Sequence, residues 1–540
     1  MPSDTEHESI VRWLAKPAAY AHHPDGVAHI QTHISHVFLA GPYAYKLKKP
    51  VRYDFLDFST VAAREYACRE ELRLNRRLAP DTYLDVLPIT PAEGGSYRIG
   101  GSGTTVDWLV QMRRLPTEMT LDALWRRGEL QPAHVDQLAE TLVSFYGSLT
   151  PLSLTPAEYR ERCLAHVRGN LRELLAARHH LQRGAIERIH GFQLQLLLIE
   201  PSILEERVTK GRIVDGHGDL RPEHICLADR VTIFDCIEFS PDFRSIDAAD
   251  ELAFLAAECD FLGAEWVGPQ LFQAYQQQSG DRPPAVLLDF YKSYRACVRA
   301  KVAALRADQV YGREQANFAA EARKHLASAE RYASHWVRPL VVVVGGIAGT
   351  GKTTLAGALA DAFGAEHLRT DVVRREMCGG KPHAGGIDEG NYDLDGRGRA
   401  YDELFRRAAA LHSDRISVVL DGTFAIGKSL RQAEALASDP RRIYLAIECV
   451  CPADLARQRI RHRLSVGRDP SDARPELHEV QQRRWEPWPT DEMHVQIDTT
   501  QPLQQQVQQV FVQLKALARG WSEIDPQIRP NTSSLPRRGW

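Results

Sequence analysis

The sequence has no apolar run of the length that a membrane span needs. A transmembrane helix takes about 20 consecutive apolar residues, and no segment of these 540 residues approaches that. The first 17 residues are polar and acidic before a short apolar patch at Ile10–Leu14, which does not fit a secretory signal. These two absences predict a cytoplasmic protein that has no membrane partner.

The chain also lacks a paired-cysteine pattern and a strong excess of one charge. Its nine cysteines are scattered, and the closest pair, Cys449 and Cys451, lacks the spacing of a zinc or redox motif. Unpaired thiols of this kind are typical of a reducing compartment. The formal net charge of -3 gives no sign of general attraction to nucleic acid, although it leaves a local basic patch open. Nucleic acid is therefore a disfavoured partner, but an open one.

The length predicts more than one domain, because a single hydrophobic core stops growing well below 540 residues. We predict a first domain over 1–335, ending in a charged, alanine-rich helical linker from about residue 303. A second domain then covers 336–522. The tail over 523–540 has three prolines and little apolar content, so we predict that it is disordered.

The most informative stretch of the second domain is VVVVGGIAGTGKTT, which starts at Val341. Valines running into glycines indicate a buried parallel strand that ends in a sharp turn. The residues Gly346-x-x-x-x-Gly351-Lys352-Thr353 then fit the Walker A pattern in full. In such a loop the backbone N–H groups surround phosphates, the lysine reaches the terminal phosphates, and the hydroxyl binds magnesium. The predicted nucleotide-binding residues are Gly346, Gly349, Thr350, Gly351, Lys352, Thr353 and Thr354, with Thr353 also a ligand of Mg²⁺.

Strands and helices alternate after this loop. A second strand over 366–370 leads to Asp371, a third ends at Asp421, and two more follow. This order predicts an α/β P-loop NTPase domain with a doubly wound parallel sheet. Ligands of such sheets bind beyond the carboxyl ends of the strands, which is where Lys352, Asp371 and Asp421 fall.

This half resembles the P-loop kinases that phosphorylate small molecules or polynucleotide ends, including gluconate kinase. The resemblance implies that Asp371, with Arg374 or Arg375, activates the hydroxyl of the acceptor. It also implies that Asp421 is the carboxylate on the metal side. A helix N-cap is the alternative role of Asp371, since aspartate is common there.

Arginines at 459 and 463 share one face of a predicted helix. They look like the lid of the same kinases, where arginines close over the phosphates and stabilise the charge that develops in phosphoryl transfer. We therefore count Arg459 and Arg463 among the nucleotide-binding residues. A solvated, arginine-rich helix is the alternative.

The informative stretch of the first domain contains His217-Gly218-Asp219, then His224, then a short apolar strand that ends at Asp235. It resembles the catalytic and metal-binding segment of the aminoglycoside phosphotransferase branch of the protein-kinase-like fold. The resemblance implies an α+β protein-kinase-like domain. It also implies that the Asp219 carboxylate orients the hydroxyl of the acceptor and that Asp235 holds the metal on the phosphates.

The same resemblance implies functional roles for lysines on an earlier strand. The run AYKLK places Lys46 and Lys48 on one face of a strand. The resemblance implies that Lys46 contacts the phosphates and that Glu71, on the next helix, is its ion-pair partner. Lys48 and Glu70 are the alternatives, and both pairs stay open. Val110–Met112 falls where the family holds adenine through backbone groups.

One residue departs from the family pattern. The second metal ligand of the family is Asn, and this chain has His224 there. Magnesium prefers oxygen ligands, whereas imidazole suits softer metals. Either Asp235 and Glu238 then hold most of the metal, with His224 contributing, or the domain is weakened as a catalyst.

The whole chain looks like the bacterial proteins described as bifunctional aminoglycoside phosphotransferase/ATP-binding proteins. We predict ATP-dependent phosphoryl transfer to a small hydroxylated acceptor, with ATP and Mg²⁺ as cofactors and one nucleotide site in each domain. One alternative is a first domain that binds nucleotide without turnover and regulates a P-loop ATPase. Another is a kinase that acts on nucleic-acid ends, against which the missing basic charge argues.

Overall fold

The computed structural model describes residues 4–53, 56–377, 394–439, 441–466 and 475–518, so the predicted disordered tail lies outside the described residues. Within these ranges no helix is both long enough and apolar enough to cross a membrane. The chain divides into two compact units, each built from two segments. The first unit is Met1–Leu154 with Arg207–Pro283, and the second is Thr155–Glu206 with Pro284–Trp540.

The helices and strands are numbered here in chain order. Up to residue 283 they are α1 (Asp4–Leu14), β1 (Val27–Gln31), β2 (Ser35–Ala40), β3 (Tyr43–Lys48), β4 (Arg52–Tyr53), β5 (Leu56–Asp57), α2 (Val61–Asn75), β6 (Tyr83–Ala92), β7 (Ser96–Ile99), β8 (Asp107–Arg113), α3 (Leu121–Arg126), α4 (Pro132–Ser148), α5 (Pro156–Leu174), α6 (Arg183–Ile199), α7 (Ser202–Thr209), β9 (Ile213–Asp215), β10 (Ile225–Leu227), β11 (Val231–Ile233), α8 (Pro241–Arg244), β12 (Ser245–Asp247), α9 (Ala248–Phe261) and α10 (Val267–Ser279). After residue 283 they are α11 (Ala285–Ala307), α12 (Gly312–Ser334), β13 (Leu340–Gly345), α13 (Lys352–Phe363), β14 (Glu366–Arg369), α14 (Thr370–Met377), α15 (Leu394–Ser413), β15 (Val418–Asp421), α16 (Gly427–Leu436), β16 (Ile443–Val450), α17 (Ala453–Val466), α18 (Pro475–Arg483), β17 (His494–Asp498) and α19 (Leu503–Leu517).

The first unit contains an antiparallel sheet with the strand order β1-β2-β3-β8-β6-β7. Strands β2 and β3 form a hairpin, and Gly41 turns it in the left-handed region with a φ of 56°. Because side chains alternate along β3, Tyr45 and Leu47 pack into an apolar cluster on one face. Lys46 and Lys48 lie on the other face, toward α2.

Helix α2 begins at a threonine cap. The Thr60 hydroxyl accepts a hydrogen bond from the Ala63 N–H at 3.1 Å, and α2 then runs to Asn75. Arg64 and Glu71 of this helix are buried against the sheet. The first unit thus combines an antiparallel sheet and its packed helix with the α-helical segments after β8, as expected for the protein-kinase-like α+β fold.

The second unit contains a parallel sheet with the order β14-β15-β13-β16-β17, which confirms the predicted doubly wound fold. Strand β13 lies in the centre and is buried along its whole length. Val342 and Val344 face one apolar cluster, and Val341 and Val343 face the other. The run of valines therefore reflects a strand covered on both faces.

Four helices from before residue 335 belong to the second unit: α5, α6, α11 and α12. Ile199 at the end of α6 lies in the same apolar cluster as Val342 of β13. Arg183 donates to Glu366 at 2.9 Å, and the Gln195 side chain donates to the Ser417 hydroxyl at 3.3 Å. These helices therefore contact the parallel sheet of the second unit. The boundary predicted at residue 335 assigns the same helices to the first domain. That boundary remains a prediction about independently folding domains.

Candidate active sites

Lys46 of β3 lies at the centre of the candidate site in the first unit. Its Nζ is 2.8 Å from Glu71 Oε1 and 2.6 Å from Asp235 Oδ1. Burial on its own lowers the pKa of Lys46, but Asp235 and Glu71 raise it well above its usual value. The ammonium group therefore stays charged, held between a carboxylate of the helix and one that follows β11.

Lys48 binds the same glutamate from the next position on that face of the strand. Its Nζ is 2.7 Å from Glu71 Oε2 and also contacts Glu238 Oε1. Glu70 instead pairs with Arg73 at 2.7 Å on the exposed side of α2. The geometry therefore distinguishes the residues that the sequence left open. Glu71, and not Glu70, is the partner of both lysines, and Lys46 is the lysine that contacts Asp235.

The residues Asp219, His224 and Asp235 lie together, as their spacing suggested. His224 Nδ1 donates to the Asp219 backbone carbonyl at 2.9 Å and is 3.5 Å from Asp219 Oδ2. His224 Nε2 is 3.6 Å from Asp235 Oδ2. Against the opposing effect of burial, Lys46 and then His224 hold the pKa of Asp235 well below its usual range. Asp235 is therefore an ionised carboxylate beside an imidazole ring.

The turn that carries Asp219 is fixed by hydrogen bonds to the side chain of Glu251 in α9, a residue that the sequence analysis missed. Glu251 Oε1 accepts from the His217 N–H at 2.6 Å and also from the Gly218 N–H. The Tyr146 hydroxyl donates to Glu251 Oε2 at 2.9 Å. A glutamate among the apolar residues of a buried helix was the available signal in the sequence.

The expected position of the adenine-binding segment was wrong. Val110–Met112 lies inside β8, which pairs with β3 on one side and β6 on the other. Hydrogen-bonded partners on both sides use the backbone groups of a central strand, so those groups are not available to a base. The strand ends at Arg113, and the Arg114 N–H still donates to the Pro42 carbonyl at 2.9 Å, so the backbone pairing continues to that bond.

The candidate site of the second unit is the loop between β13 and α13. Gly346, Gly349 and Gly351 have φ values of 142°, 85° and 87°, which side-chain-bearing residues rarely adopt. A Cβ atom on Gly346 would lie 2.7 Å from the Cys449 carbonyl oxygen, and one on Gly349 would clash with the Ala456 backbone. The loop therefore requires glycine for its conformation and for its close packing, as the Walker A pattern predicts.

Three predicted nucleotide-binding residues begin helix α13 directly after this loop: Lys352, Thr353 and Thr354. Lys352 Nζ lies 3.5 Å from the Ile347 carbonyl oxygen, so its ammonium group curls back over the loop. Thr350 is buried, and its carbonyl accepts from the Thr499 hydroxyl at 2.7 Å. The geometry leaves the positive end of α13 facing the space that the loop encloses.

Helix α18 holds the same loop through side chains that sequence reasoning missed. Gln481 Oε1 accepts from the Ala348 N–H at 2.7 Å, and His478 Nδ1 donates to the Ala348 carbonyl at 2.8 Å. Both polar groups of one residue of the loop are thus bonded to a single helix. A histidine and a glutamine three residues apart in a polar stretch gave no pattern that could have identified this contact.

The two acidic residues predicted at the strand ends lie at the ends of neighbouring strands: Asp421 is the last residue of β15, and Asp371 lies in the first turn of α14, directly after β14. Asp421 is buried, and its Oδ2 is 3.3 Å from His367 Nε2 and 3.5 Å from Arg369 Nε. Asp371 forms a close ion pair with Arg374, one of the two arginines that the resemblance offered. Burial, helped by the two aspartates and opposed by Arg374 and the hydrogen bond to the Phe424 N–H, raises the pKa of Tyr401 to about 12. The neutral Tyr401 hydroxyl therefore lies in the field of both carboxylates.

The predicted lid arginines have different surroundings. Arg459 donates to the Thr499 hydroxyl at 3.0 Å and to the Thr499 carbonyl at 2.8 Å, directly beside Gly351. Arg463 lies one turn further along α17, and within the described ranges its Nε and Nη2 have no hydrogen-bond partner. Arg459 thus supports the loop, and Arg463 is the arginine with unused donors.

The donor atoms of the two sites differ in their fit to Mg²⁺. The second unit offers the Thr353 hydroxyl and the Asp421 carboxylate, which are the oxygen donors that Mg²⁺ prefers. The first unit offers Asp235 oxygen but an imidazole nitrogen at His224, which does not fit a magnesium site. Neither site is a preformed cluster, because no group of three or more His, Cys, Asp or Glu in the described ranges could hold a metal ion.

Comparison with known proteins gives matches for both parts of the chain. Residues 341–488 match the family model described as an AAA domain. Among solved structures, a gluconokinase from Sinorhizobium meliloti 1021 is 20% identical to this chain. The match covers 34% of this chain and 94% of the gluconokinase chain, with a TM-score of 0.26. A choline/ethanolamine kinase family protein from Mesorhizobium loti is 15% identical over 60% of this chain and 99% of its own, with a TM-score of 0.36. An aminoglycoside 2'-phosphotransferase-IIIa is 13% identical over 61% of this chain and 99% of its own, with the same score.

Two mycobacterial proteins match nearly the whole chain. The uncharacterized protein Rv2004c of Mycobacterium tuberculosis and the uncharacterized protein Mb2027c of Mycobacterium bovis are each 34% identical over 498 residues. Each alignment covers 89% of this chain and 94% of the relative. At this identity and over this length, the chain belongs to the same family as Rv2004c and Mb2027c.

Proposed function

We propose that this protein is an ATP-dependent phosphotransferase that acts on a hydroxyl group of a small acceptor, with a nucleotide site in each unit. The observation that carries the proposal is the β13–α13 loop, whose three glycines have positive φ values and which leaves no room for a Cβ atom at Gly346 or Gly349. A loop of that shape, closed by Lys352 and followed by a helix N-terminus, suits the β and γ phosphates of a nucleoside triphosphate.

In the second unit, each polar residue around the loop has a role in this proposal. Lys352 binds the terminal phosphates, and Thr353 and Asp421 are the residues that would hold Mg²⁺. The bound ion would neutralise phosphate charge. Asp371 orients the hydroxyl of the acceptor and accepts its proton, while Arg374 keeps the Asp371 carboxylate in place. Arg463 has donors available for the charge that develops on the transferred group.

In the first unit, the proposal assigns nucleotide binding to Lys46 and catalysis to Asp219. The Glu71 ion pair keeps the Lys46 ammonium charged and extended toward Asp235. Asp219 is 28% exposed in its side chain and is held on a turn that Glu251 fixes through two backbone N–H groups. That combination suits a carboxylate that must receive the hydroxyl of an acceptor in a constant position.

The full-length protein tests this function in an assay of ATP consumption against sugars, amino sugars, nucleosides and oligonucleotide ends. Lys352→Ala removes a charged contact worth about 1.5–3 kcal/mol, so nucleotide affinity at the second site should fall about 10- to 150-fold. Asp371→Asn and Asp219→Asn should each abolish turnover at their own site while they leave nucleotide affinity nearly unchanged. Arg457→Ala is a matched control, since Arg457 pairs with Asp454 on the exposed side of α17.

The same variants distinguish the alternatives. Unchanged nucleotide affinity in Lys352→Ala would refute the assignment of the second site. Turnover that ignores Asp219 but disappears in Lys352→Ala would mean that the first unit binds nucleotide without transferring phosphate. Transfer to oligonucleotide ends, with none to small acceptors, would replace the small-molecule proposal.

A further inference from the structure

The orientation of the His224 ring is set by a backbone carbonyl. His224 Nδ1 is 2.9 Å from the Asp219 carbonyl oxygen, and a carbonyl oxygen can only accept a hydrogen bond. Nδ1 therefore carries the hydrogen, and in the neutral ring Nε2 carries a lone pair. This nitrogen is 3.6 Å from Asp235 Oδ2, which is beyond the usual length of a hydrogen bond.

The position of Asp235 Oδ2 is fixed by the contacts that the rest of this residue makes. Its other oxygen, Oδ1, is bound to Lys46 Nζ at 2.6 Å, so Oδ2 remains for a second cation. The Asp235 backbone has a left-handed φ of 63°, which is uncommon for a residue with a side chain. The Tyr83 hydroxyl, at 3.2 Å from Asp235 N, and the Asn75 side chain, at 2.9 Å from Cys236 N, hold that conformation.

In the neutral ring the Nε2 lone pair and the carboxylate oxygen repel each other, and either a proton on Nε2 or a bound metal cation removes that repulsion. Two coordination bonds of about 2.1 Å each can span up to about 4.2 Å, so one ion can bind both atoms at their observed separation. Imidazole nitrogen is a good ligand for Mn²⁺, Co²⁺ and Zn²⁺, whereas Mg²⁺ selects oxygen. The pair is thus a two-donor site of mixed nitrogen and oxygen character.

We propose that the first unit binds its nucleotide with a divalent transition-metal ion, held by His224 Nε2 and Asp235 Oδ2, rather than with Mg²⁺. The inference rests on the proposed nucleotide site of that unit. Two protein donors leave the remaining coordination positions to nucleotide phosphates and water, which is the usual arrangement in kinase sites. It also agrees with the lack of a preformed cluster of three donors in the described part of the chain.

The probe for this site is Mn²⁺, which reports its ligands through its unpaired electrons. Full-length protein with Lys352→Ala, which weakens the second site, is mixed with Mn²⁺ and a non-hydrolysable ATP analogue and studied by pulsed electron paramagnetic resonance. We expect hyperfine coupling from a directly bound nitrogen, and labelling with ¹⁵N-histidine should change its frequencies. This labelling test requires no substitution at His224 and so does not depend on the folding of a variant.

Two substitutions in that background assign the nitrogen. His224→Asn should remove the coupling, and it should reduce the preference for Mn²⁺ over Mg²⁺, measured by thermal shift with the analogue, about tenfold or more. His367→Asn is the matched control, because His367 is 3.3 Å from Asp421 and so lies beside a predicted metal ligand of the second site. The coupling should persist in that control.

The possible negative results differ in what they overturn. If the analogue binds to the first unit but no histidine coupling is seen, the ion is held by oxygen alone. If the coupling survives His224→Asn, the nitrogen belongs to another histidine. His224 and Asp235 are then only an ion pair, and this inference fails while the proposed nucleotide site stands. If neither Mn²⁺ nor Mg²⁺ allows the analogue to stabilise the first unit, both the inference and that nucleotide site fail.

Discussion

Glu251→Gln is the substitution that most directly tests how the Asp219 turn is positioned. The carboxylate of Glu251 is buried, with 1% of the residue exposed, and accepts from the backbone N–H groups of His217 and Gly218 and from the Tyr146 hydroxyl. A hydrogen bond to a charged group contributes about 1.5–3 kcal/mol, and to a neutral group about 0.5–1.5 kcal/mol. Because the amide removes the charge and keeps one acceptor oxygen, each backbone bond should weaken by about 1–2 kcal/mol.

The measurement is hydrogen exchange of the amides in the segment 213–220 of the full-length protein. A loss of about 1–2 kcal/mol corresponds to exchange that is about 5- to 30-fold faster. Because the same amides fix the position of Asp219, phosphoryl transfer that depends on Asp219 should slow as well, while binding of nucleotide through Lys46 changes little.

Glu258→Gln provides the matched control. It makes the same chemical change two turns further along α9, where the carboxylate lies 4.0 Å from Arg221 Nε. Equal exchange at 213–220 in the parent protein and in Glu251→Gln would refute the claim that this carboxylate holds the turn. Equally faster exchange in both variants would mean that α9 as a whole is destabilised and that the effect is not specific to Glu251.

Two further outcomes follow from buried groups. Lys48→Met should lower the free energy of unfolding by about 3–5 kcal/mol, because it removes the buried lysine partner of Glu238 and leaves Glu71 with Lys46 alone, and Lys48→Met with Glu238→Leu should recover part of that loss in denaturant titrations. Equal stability of the single and double variants would contradict this. Burial lowers the pKa of His190 to about 4, so the unfolded chain binds the extra proton between about pH 6.5 and pH 4 and stability falls as the pH drops through that window. His190→Leu, which also removes a buried Nε2 that has no hydrogen-bond partner in the described residues, should flatten the fall in melting temperature, and an unchanged pH profile would contradict the assignment.

The chemistry of each site could be predicted because it depends on short stretches of chain. The Walker A glycines need their conformations and their spacing within eight residues, so the loop between β13 and α13 was identified from the pattern alone. The valines before it are buried on both faces, which is what an uninterrupted apolar strand indicates. The hairpin of β2 and β3 was likewise visible from Gly41 and the alternating residues beside it.

Contacts between distant segments could not be predicted in the same way. Lys46 and Asp235 are 189 positions apart, and Glu251 lies 34 residues after His217, so no periodicity links them. The position of the adenine segment was wrong for a related reason, since whether Val110–Met112 is central or at an edge depends on which strands pair on each side.

The sequence by itself determined the fold class of each half, and it predicts a phosphate-related chemistry for each, because glycine spacing, strand alternation and helix order act over a few residues. Only the tertiary structure decided that Glu71 bridges both Lys46 and Lys48, and that Glu251 lies beneath the Asp219 turn. It also decided that His224 presents Nε2 to Asp235. These arrangements depend on the packing of elements that are far apart in the chain, and the free energy of packing is set by shape and burial that local patterns do not carry.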